Sequence, residues 1–216
     1  MTECCTLPQA DRLLLFHRAF QLEWWTIAWM TVEAIVAITA GVTAGSLVLI
    51  AFGLDSVIEL TSAGVLMWRL IVELRHGQRF SEWAEHTARR VAGALLFLLA
   101  AYITAAAAWR LWNGGGEPFS WAGFIIALIA IPAMKYLARG KIAIADKIGS
   151  RALRADAIEA VTCGWLSFVV VGTLVAQWLF GAWWIDGVGS LAIVWFLIKE
   201  GREAWSGDEC ESCSHY

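Results

Sequence analysis

Asp55 and Glu59 are two carboxylates one helical turn apart in the segment GLDSVIE, and no ionisable residue lies between Glu33 and Asp55. Charged side chains near the middle of a membrane span cost about 2.5–3.5 kcal/mol each on insertion scales, and they usually mark an ion or proton pathway. Residues four apart share one helix face, so both carboxylates can reach a single ion. A cation or a proton would relieve their mutual repulsion, and the pair is therefore predicted to bind one.

A second group of reactive side chains lies in the segment RADAIEAVTCG. Glu159 and Cys163 are four residues apart, and Asp156 lies one turn before Glu159. If the two helices face each other, the two pairs together offer three oxygens and one sulfur, which is enough for a four-coordinate divalent metal. Alternatively, Cys163 is a small residue that packs between membrane helices.

The elements that position these groups are predicted to be transmembrane helices. Of the 216 residues, 59% are hydrophobic and only 16% are charged, which a soluble domain of this size cannot hide. Apolar stretches of about 20 residues span the ~30 Å hydrocarbon core. The sequence predicts an all-α integral membrane protein with six such segments, at about 24–43, 47–72, 88–111, 119–138, 155–180 and 183–200.

The flanking regions give a three-part organisation. Residues 1–23 are predicted to be a cytoplasmic tail with an amphipathic segment, 24–200 the six-helix domain, and 201–216 a short cytoplasmic tail that contains cysteines. Residues 11–23 either lie on the membrane surface, with Arg12, Arg18 and Glu23 toward water, or extend the first helix. The N-terminus has no recognisable cleavable signal peptide.

Basic residues indicate the orientation. If the six spans alternate, every Lys and Arg except Arg110 falls on one side of the membrane. The positive-inside rule then places both termini in the cytoplasm, in a plasma or bacterial inner membrane. The region around Asp146 is interpreted as a solvated basic loop. Several of the 14 tryptophans lie near predicted span ends, as in interfacial aromatic belts.

Three further acidic residues are candidates for supporting roles. Glu33 lies near the middle of the first span and is either a proton relay or partner of the metal ligands, or a hydrogen-bond partner of a neighbouring helix. Asp156 is placed in the same supporting group. Asp186, at the outer end of the sixth span, is expected to cap that helix, with a relay role as the alternative.

The tails contain the remaining cysteines. Because both tails are predicted to face a reducing compartment, structural disulfides are not expected. A C-x-x-C motif followed by His is compatible with a soft-metal site that loads ions onto the pore, and a disordered tail with incidental cysteines explains it equally well. The residues of this candidate tail site are Cys4, Cys5, Cys210, Cys213 and His215.

These motifs resemble the transmembrane domain of the cation diffusion facilitator family, six-helix metal/proton antiporters whose second and fifth helices each carry an H/D-x-x-x-D pair. SLVLIAFGLDSVIEL places Asp55 and Glu59 at the two ligand positions of the second helix. RADAIEAVTCG resembles A-D-A-x-H-S-x-x-D, with Glu159 at the His position and Cys163 at the Asp position. The segment Trp184-Ile185-Asp186 resembles the W-x-D-P start of the family's last helix.

The resemblance implies proton-coupled export of a divalent transition metal by alternating access, in a homodimer that is not an enzyme, has no permanently bound cofactor and has no nucleic-acid partner. The family's cytoplasmic domain has no counterpart in the 201–216 segment. A thiolate at Cys163 favours zinc or cadmium, whereas an oxygen-rich ligand set without imidazole also suits manganese or ferrous iron.

Two other functions are compatible with the sequence. In a non-transporting membrane metal sensor or scaffold, the tails would recruit a partner and the buried carboxylates would only fix helix packing. A paired-carboxylate intramembrane protease would use Asp55 and Asp156, but the flanking residues lack a recognisable protease context.

Overall fold

Six helices form the part of the chain that the structure, a computed structural model, describes: residues 9–76, 82–113, 119–148, 151–182 and 184–206. The helices are α1 (Gln9–Ala44), α2 (Leu47–His76), α3 (Glu82–Asn113), α4 (Trp121–Ile148), α5 (Arg151–Phe180) and α6 (Ile185–Ser206). Helices α1 to α5 each contain a segment long and apolar enough to cross a membrane. Helix α6 has 22 residues and charged side chains near its end. The predicted all-helical, multi-pass membrane fold is confirmed.

Two tight connections on the predicted outer side use glycine. Gly45 and Gly181 have φ angles of 70° and 59°, in the left-handed region that disfavours residues with a Cβ. The Gly181 N–H donates to the carbonyl of Gln177 at 2.9 Å and satisfies an acceptor in the last turn of α5. Between α1 and α2 only Gly45 and Ser46 intervene, so these helices are antiparallel neighbours.

Helix α2 is the central element of the bundle. It packs against α1, α3, α5 and α6, and the most extensive pairings are α1 with α2, α4 with α5, and α3 with α6. Phe52 of α2, Met134 of α4, Leu166 of α5 and Leu197 of α6 are fully buried in one apolar core. A side chain that points inward from α2 is therefore enclosed by several helices.

The outer faces of the helices are apolar. Large hydrophobic side chains such as Trp109, Trp165 and Trp195 are more than half exposed. A soluble protein rarely exposes so many large apolar side chains on all sides, whereas lipid is a favourable environment for them. Trp112, Trp121 and Trp184 are exposed near helix ends, where an interfacial belt is expected.

The N-terminal segment extends the first helix. Helix α1 continues without a break from Gln9, which agrees with the second of the two alternatives for residues 11–23. The prediction that Glu23 faces water was wrong, because its side chain is fully buried. The solvated-loop interpretation was also wrong for Lys141, which is fully buried in α4. Asp146 is solvent-exposed as predicted and forms an ion pair with Arg154 at 2.9 Å, but it lies in helix α4 and not in a loop.

Helices α1 and α2 approach closely at glycines. A Cβ added at Gly53 would lie 2.6 Å from Cγ1 and 2.9 Å from the backbone N of Ile38. A Cβ at Gly41 would lie 2.8 Å from the backbone N of Ile50. Small residues at such crossings let helix backbones pack directly in a membrane, where dispersion contacts drive association.

Gly53→Ala is expected to lower the melting temperature of the purified protein in detergent. The new methyl group would push against the α1 backbone, and overpacking of this kind costs about 1–3 kcal/mol. Gly64→Ala is the matched control on the same helix, because no atom lies within 4 Å of its added Cβ. Equal melting temperatures for the two variants would show that the α1–α2 crossing is looser than the structure indicates.

Candidate functional site

Asp55 and Glu59 lie on α2 in the interior of the bundle. Their exposed fractions are 0% and 7%, and none of their four carboxylate oxygens has a hydrogen-bond partner among the described residues. An ionised carboxylate buried without a partner is strongly unfavourable, so such a group takes up a proton or contacts a cation. Both carboxylates are thus buried, and each is expected to be protonated or to contact a cation.

A third carboxylate comes from α6. One carboxylate oxygen from each of Asp55, Glu59 and Glu200 lies within 4.8 Å of the other two. Oxygen ligands lie about 2.0–2.6 Å from a divalent cation, so two ligands of one ion are at most about 5 Å apart. The three side chains are therefore close enough to share one ion.

Glu200 is not among the site residues predicted from the sequence. It lies at the very end of the last apolar segment, next to Lys199, where charged residues ordinarily reach the membrane surface. One feature of the sequence could have indicated Glu200 as a site residue, namely that it is an acidic residue within a predicted span. Its proximity to Asp55 depends on the contact between α2 and α6, which periodicity does not reveal.

Glu33 connects three helices by hydrogen bonds. Its Oε2 accepts from Nε1 of Trp29 at 2.7 Å, and its Oε1 accepts from Oγ of Ser56 at 2.7 Å. The thiol of Cys163 donates to the same Oε1 at 3.6 Å. The structure therefore agrees with the alternative in which Glu33 hydrogen-bonds to neighbouring helices, and it places Glu33 beside the carboxylate pair.

The predicted α5 ligands lie next to the cluster on α2. Cys163 is a fully buried free thiol in electrostatic contact with Asp55 and Glu59. Glu159 is half-buried, accepts a hydrogen bond from Oγ of Ser62 at 3.2 Å and interacts electrostatically with Asp55 and Glu59. Glu159 and Cys163 of α5 thus lie near Asp55 and Glu59 of α2. The group of mutually close ligand atoms found among the described residues, however, contains Glu200 instead of Glu159 and Cys163.

Asp156 belongs to a second charged cluster. The ammonium group of Lys141 forms ion pairs with Asp156 and with Oε2 of Glu23, the latter at 3.1 Å. These residues come from α1, α4 and α5, and their exposed fractions are 0% for Lys141 and Glu23 and 9% for Asp156. We call these three residues the Lys141 triad. Lys141 thus supplies the counter-charge to both carboxylates.

A small cavity connects the triad to the carboxylate cluster. Its lining includes Glu59 and Glu159 from the one group and Lys141 and Asp156 from the other, with small and apolar side chains of α1, α2 and α5. The cavity has room for about one water molecule. In the predicted orientation, Glu23 and Asp156 lie toward the cytoplasmic ends of their helices, so the cavity lies between the triad on the cytoplasmic side and the carboxylates at the bundle centre.

Asp186 caps the start of α2, a contact that the sequence did not predict. Its carboxylate accepts hydrogen bonds from the hydroxyl of Ser46 and, at 2.8 Å, from the backbone N–H of Leu47. A carboxylate at this position satisfies a free N–H at the start of α2. Asp186 also lies in the first turn of α6, where the sequence predicts that it caps that helix, so its position serves the starts of two neighbouring helices. The candidate tail site of Cys4, Cys5, Cys210, Cys213 and His215 lies outside the described residues.

Six helices that enclose a buried carboxylate cluster, with a small cavity beside it, define a multi-pass membrane protein with acidic groups at the centre of its bundle. The sequence model of the cation efflux transmembrane domain matches residues 24–206. The chain therefore belongs to the cation efflux family, which confirms the resemblance seen in the sequence, and it is a membrane cation transporter. A search of curated proteins returned no match.

Proposed function

We propose that the protein exports a divalent transition-metal cation from the cytoplasm in exchange for protons. The observation that carries this proposal is the unpartnered, buried carboxylate pair of Asp55 and Glu59. In a member of a cation transporter family, two such groups at the centre of the bundle are suited to bind the transported ion. The metal and the protons are both substrates in this exchange.

Competition between metal and protons couples the two fluxes. A carboxylate must be deprotonated to bind a metal, so metal binding releases protons and a rise in proton concentration displaces the metal. In alternating access, the cluster binds metal when open to the cytoplasm and releases it when protons arrive from the other side. Asp55 and Glu59 are the ligands in this proposal, and Glu159 and Cys163 stay predictions as the additional ligands on α5.

The metal preference depends on which side chains complete the site. With the Cys163 thiolate as a ligand, zinc or cadmium is favoured, and with oxygen ligands alone, manganese or ferrous iron fits equally well. A homodimer is part of the proposal through the family resemblance. The carboxylates of Glu59 and Glu159 in the lining of the cavity support the approach of a cation to the site.

Transport in proteoliposomes tests the proposal. A pH-sensitive dye is enclosed in the vesicles, and zinc or manganese is added outside. Metal is expected to accumulate in the lumen while protons leave it, so the dye should report a metal-dependent rise in luminal pH. When the lumen is made more acidic than the outside, the outward flow of protons is expected to drive metal into the lumen against the metal gradient. Protein-free liposomes give the background. Metal binding without accumulation over time would contradict the proposal and favour the sensor or scaffold, and accumulation without proton movement would contradict the exchange.

A further inference from the structure

We infer that Glu200 of α6 is a direct ligand of the transported ion, in an all-oxygen site made by Asp55, Glu59 and Glu200. This inference rests on the proposed function, because it specifies the coordination and the substrate class of the same site. The ion would link α2 to α6, and the substrate would be a divalent cation that prefers oxygen ligands, such as Mn²⁺ or Fe²⁺.

The geometry of the three carboxylates is the first argument. Their closest oxygens are all within 4.8 Å of one another, on two helices that are in direct contact. An acidic cluster alone is not a site, but both carboxylates on α2 are buried and have no hydrogen-bond partner among the described residues. These oxygens face the third carboxylate in a space that one cation would neutralise.

The surrounding charges are the second argument. Electrostatic interactions link Glu59 to the carboxylates of Asp55, Glu200, Glu33 and Glu159. Like charges this close destabilise one another in a medium of low dielectric constant, where unit charges interact far more strongly than in water. A divalent cation bound between α2 and α6 would offset this repulsion at its centre.

The partners of Cys163 are the third argument. Its thiol donates to Glu33, which is itself fixed by hydrogen bonds from Trp29 and Ser56. A metal ligand has to be the thiolate, whereas a donated hydrogen bond requires the thiol. Glu159 likewise accepts a hydrogen bond from Ser62. In this arrangement the α5 side chains have hydrogen-bond partners on other helices, while no partner of the Asp55 oxygens is found in the part of the chain that the structure describes.

Metal binding by the full-length protein in detergent tests the inference. Equilibrium dialysis with Mn²⁺, and separately with Cd²⁺, is carried out on the wild type, Glu200→Gln and Cys163→Ser. Removing a residue that only supports a metal ligand weakens binding by up to about 100-fold. Because Glu200 is inferred to be a ligand itself, Glu200→Gln is expected to weaken Mn²⁺ binding by at least about 100-fold. Cys163→Ser is expected to weaken Mn²⁺ binding far less, and the wild type is expected to bind Mn²⁺ at least as tightly as Cd²⁺.

Matched variants separate a ligand from a structural residue. Asp146→Asn removes a carboxylate from an exposed ion pair with Arg154, and it is expected to bind Mn²⁺ as the wild type does. Glu200→Asp keeps the charge on a shorter side chain, and it is expected to recover part of the affinity that Glu200→Gln loses. Melting temperatures of all variants identify any that fail to fold. If Glu200→Gln does not fold, the Mn²⁺ affinity of Glu200→Asp shows whether Glu200 is a ligand, since an affinity equal to that of the wild type would contradict the inference.

Two results would overturn the inference while leaving the proposed function intact. In the first, Glu200→Gln binds Mn²⁺ as tightly as the wild type, while Asp55→Asn does not bind it. In the second, Cys163→Ser loses Cd²⁺ binding more severely than Glu200→Gln loses Mn²⁺ binding. Failure of the proposed function would appear differently, as a wild-type protein that binds metal but accumulates none in proteoliposomes.

Discussion

Asp55→Asn is expected to reduce metal-dependent proton flux to the level of protein-free liposomes and, at the same time, to raise the melting temperature of the metal-free protein. Asp55 is fully buried, and neither of its carboxylate oxygens has a hydrogen-bond partner among the described residues. In the absence of metal, the negative charge of this buried carboxylate opposes folding, and Asn removes that charge while keeping the size of the side chain. The same side chain is indispensable if it binds the ion.

The opposite signs of the two effects make this prediction informative. A variant that loses flux because it unfolds would melt earlier than the wild type, whereas loss of a ligand from a strained site leaves the fold intact or more stable. Flux is measured with a dye inside proteoliposomes and stability by thermal unfolding in detergent without metal. Asp146→Asn serves as the control for both measurements, because it changes an exposed carboxylate. If the Asp55→Asn variant showed the same metal-dependent proton flux as the wild type, the carboxylate pair would not be part of the transport site.

The parts of this molecule that follow from local rules were predictable from the sequence. Span length and apolarity identified the helices, and four-residue spacing placed Asp55 beside Glu59 and Glu159 beside Cys163. The resemblance to a known family then paired the two helices that carry them, and the structure places these pairs side by side. Local spacing and a family motif were enough for this half of the site.

The rest depends on which helices meet in space. Glu200 joins Asp55 only through the contact of α2 with α6, and Asp186 caps α2 only because the starts of α2 and α6 are neighbours. Glu23 and Lys141 were assigned to water because long charged side chains near span ends usually reach the interface. Three helices converge there instead, and each charge finds its partner on another helix. Such pairings are tertiary and leave no periodic signal in the sequence.

A buried charge needs a counter-charge, and the two charged clusters of the protein obtain it in different ways. In the Lys141 triad, a basic residue from α4 provides counter-charge to carboxylates from α1 and α5, so the protein supplies its own cation. In the cluster of Asp55, Glu59 and Glu200, the groups that act on Glu59 are carboxylates. A buried group of like charges needs an external partner. The cavity between the two clusters thus connects a neutralised region to one that requires a cation.

Lys141→Met is expected to destabilise the protein by about 3–5 kcal/mol, the cost of breaking a buried ion pair by removing one partner. Glu23 and Asp156 would then be two buried carboxylates close together without their shared cation. Thermal unfolding in detergent measures the change. Lys135→Met is the matched control on the same helix, because Lys135 is exposed, and it is expected to melt close to the wild type.

Removing the whole triad tests whether charge pairing causes this effect. A variant with Lys141→Met, Glu23→Gln and Asp156→Asn has no buried charge at these positions, and neutral replacement of buried ion pairs is often close to neutral in stability. The triple variant is therefore expected to recover most of the stability that Lys141→Met loses. The stability effects of substitutions within one charge network are not additive, and the recovered stability measures the interaction between the three residues. A triple variant no more stable than Lys141→Met would show that the lysine side chain stabilises the α1, α4 and α5 contact through its packing and not through its charge.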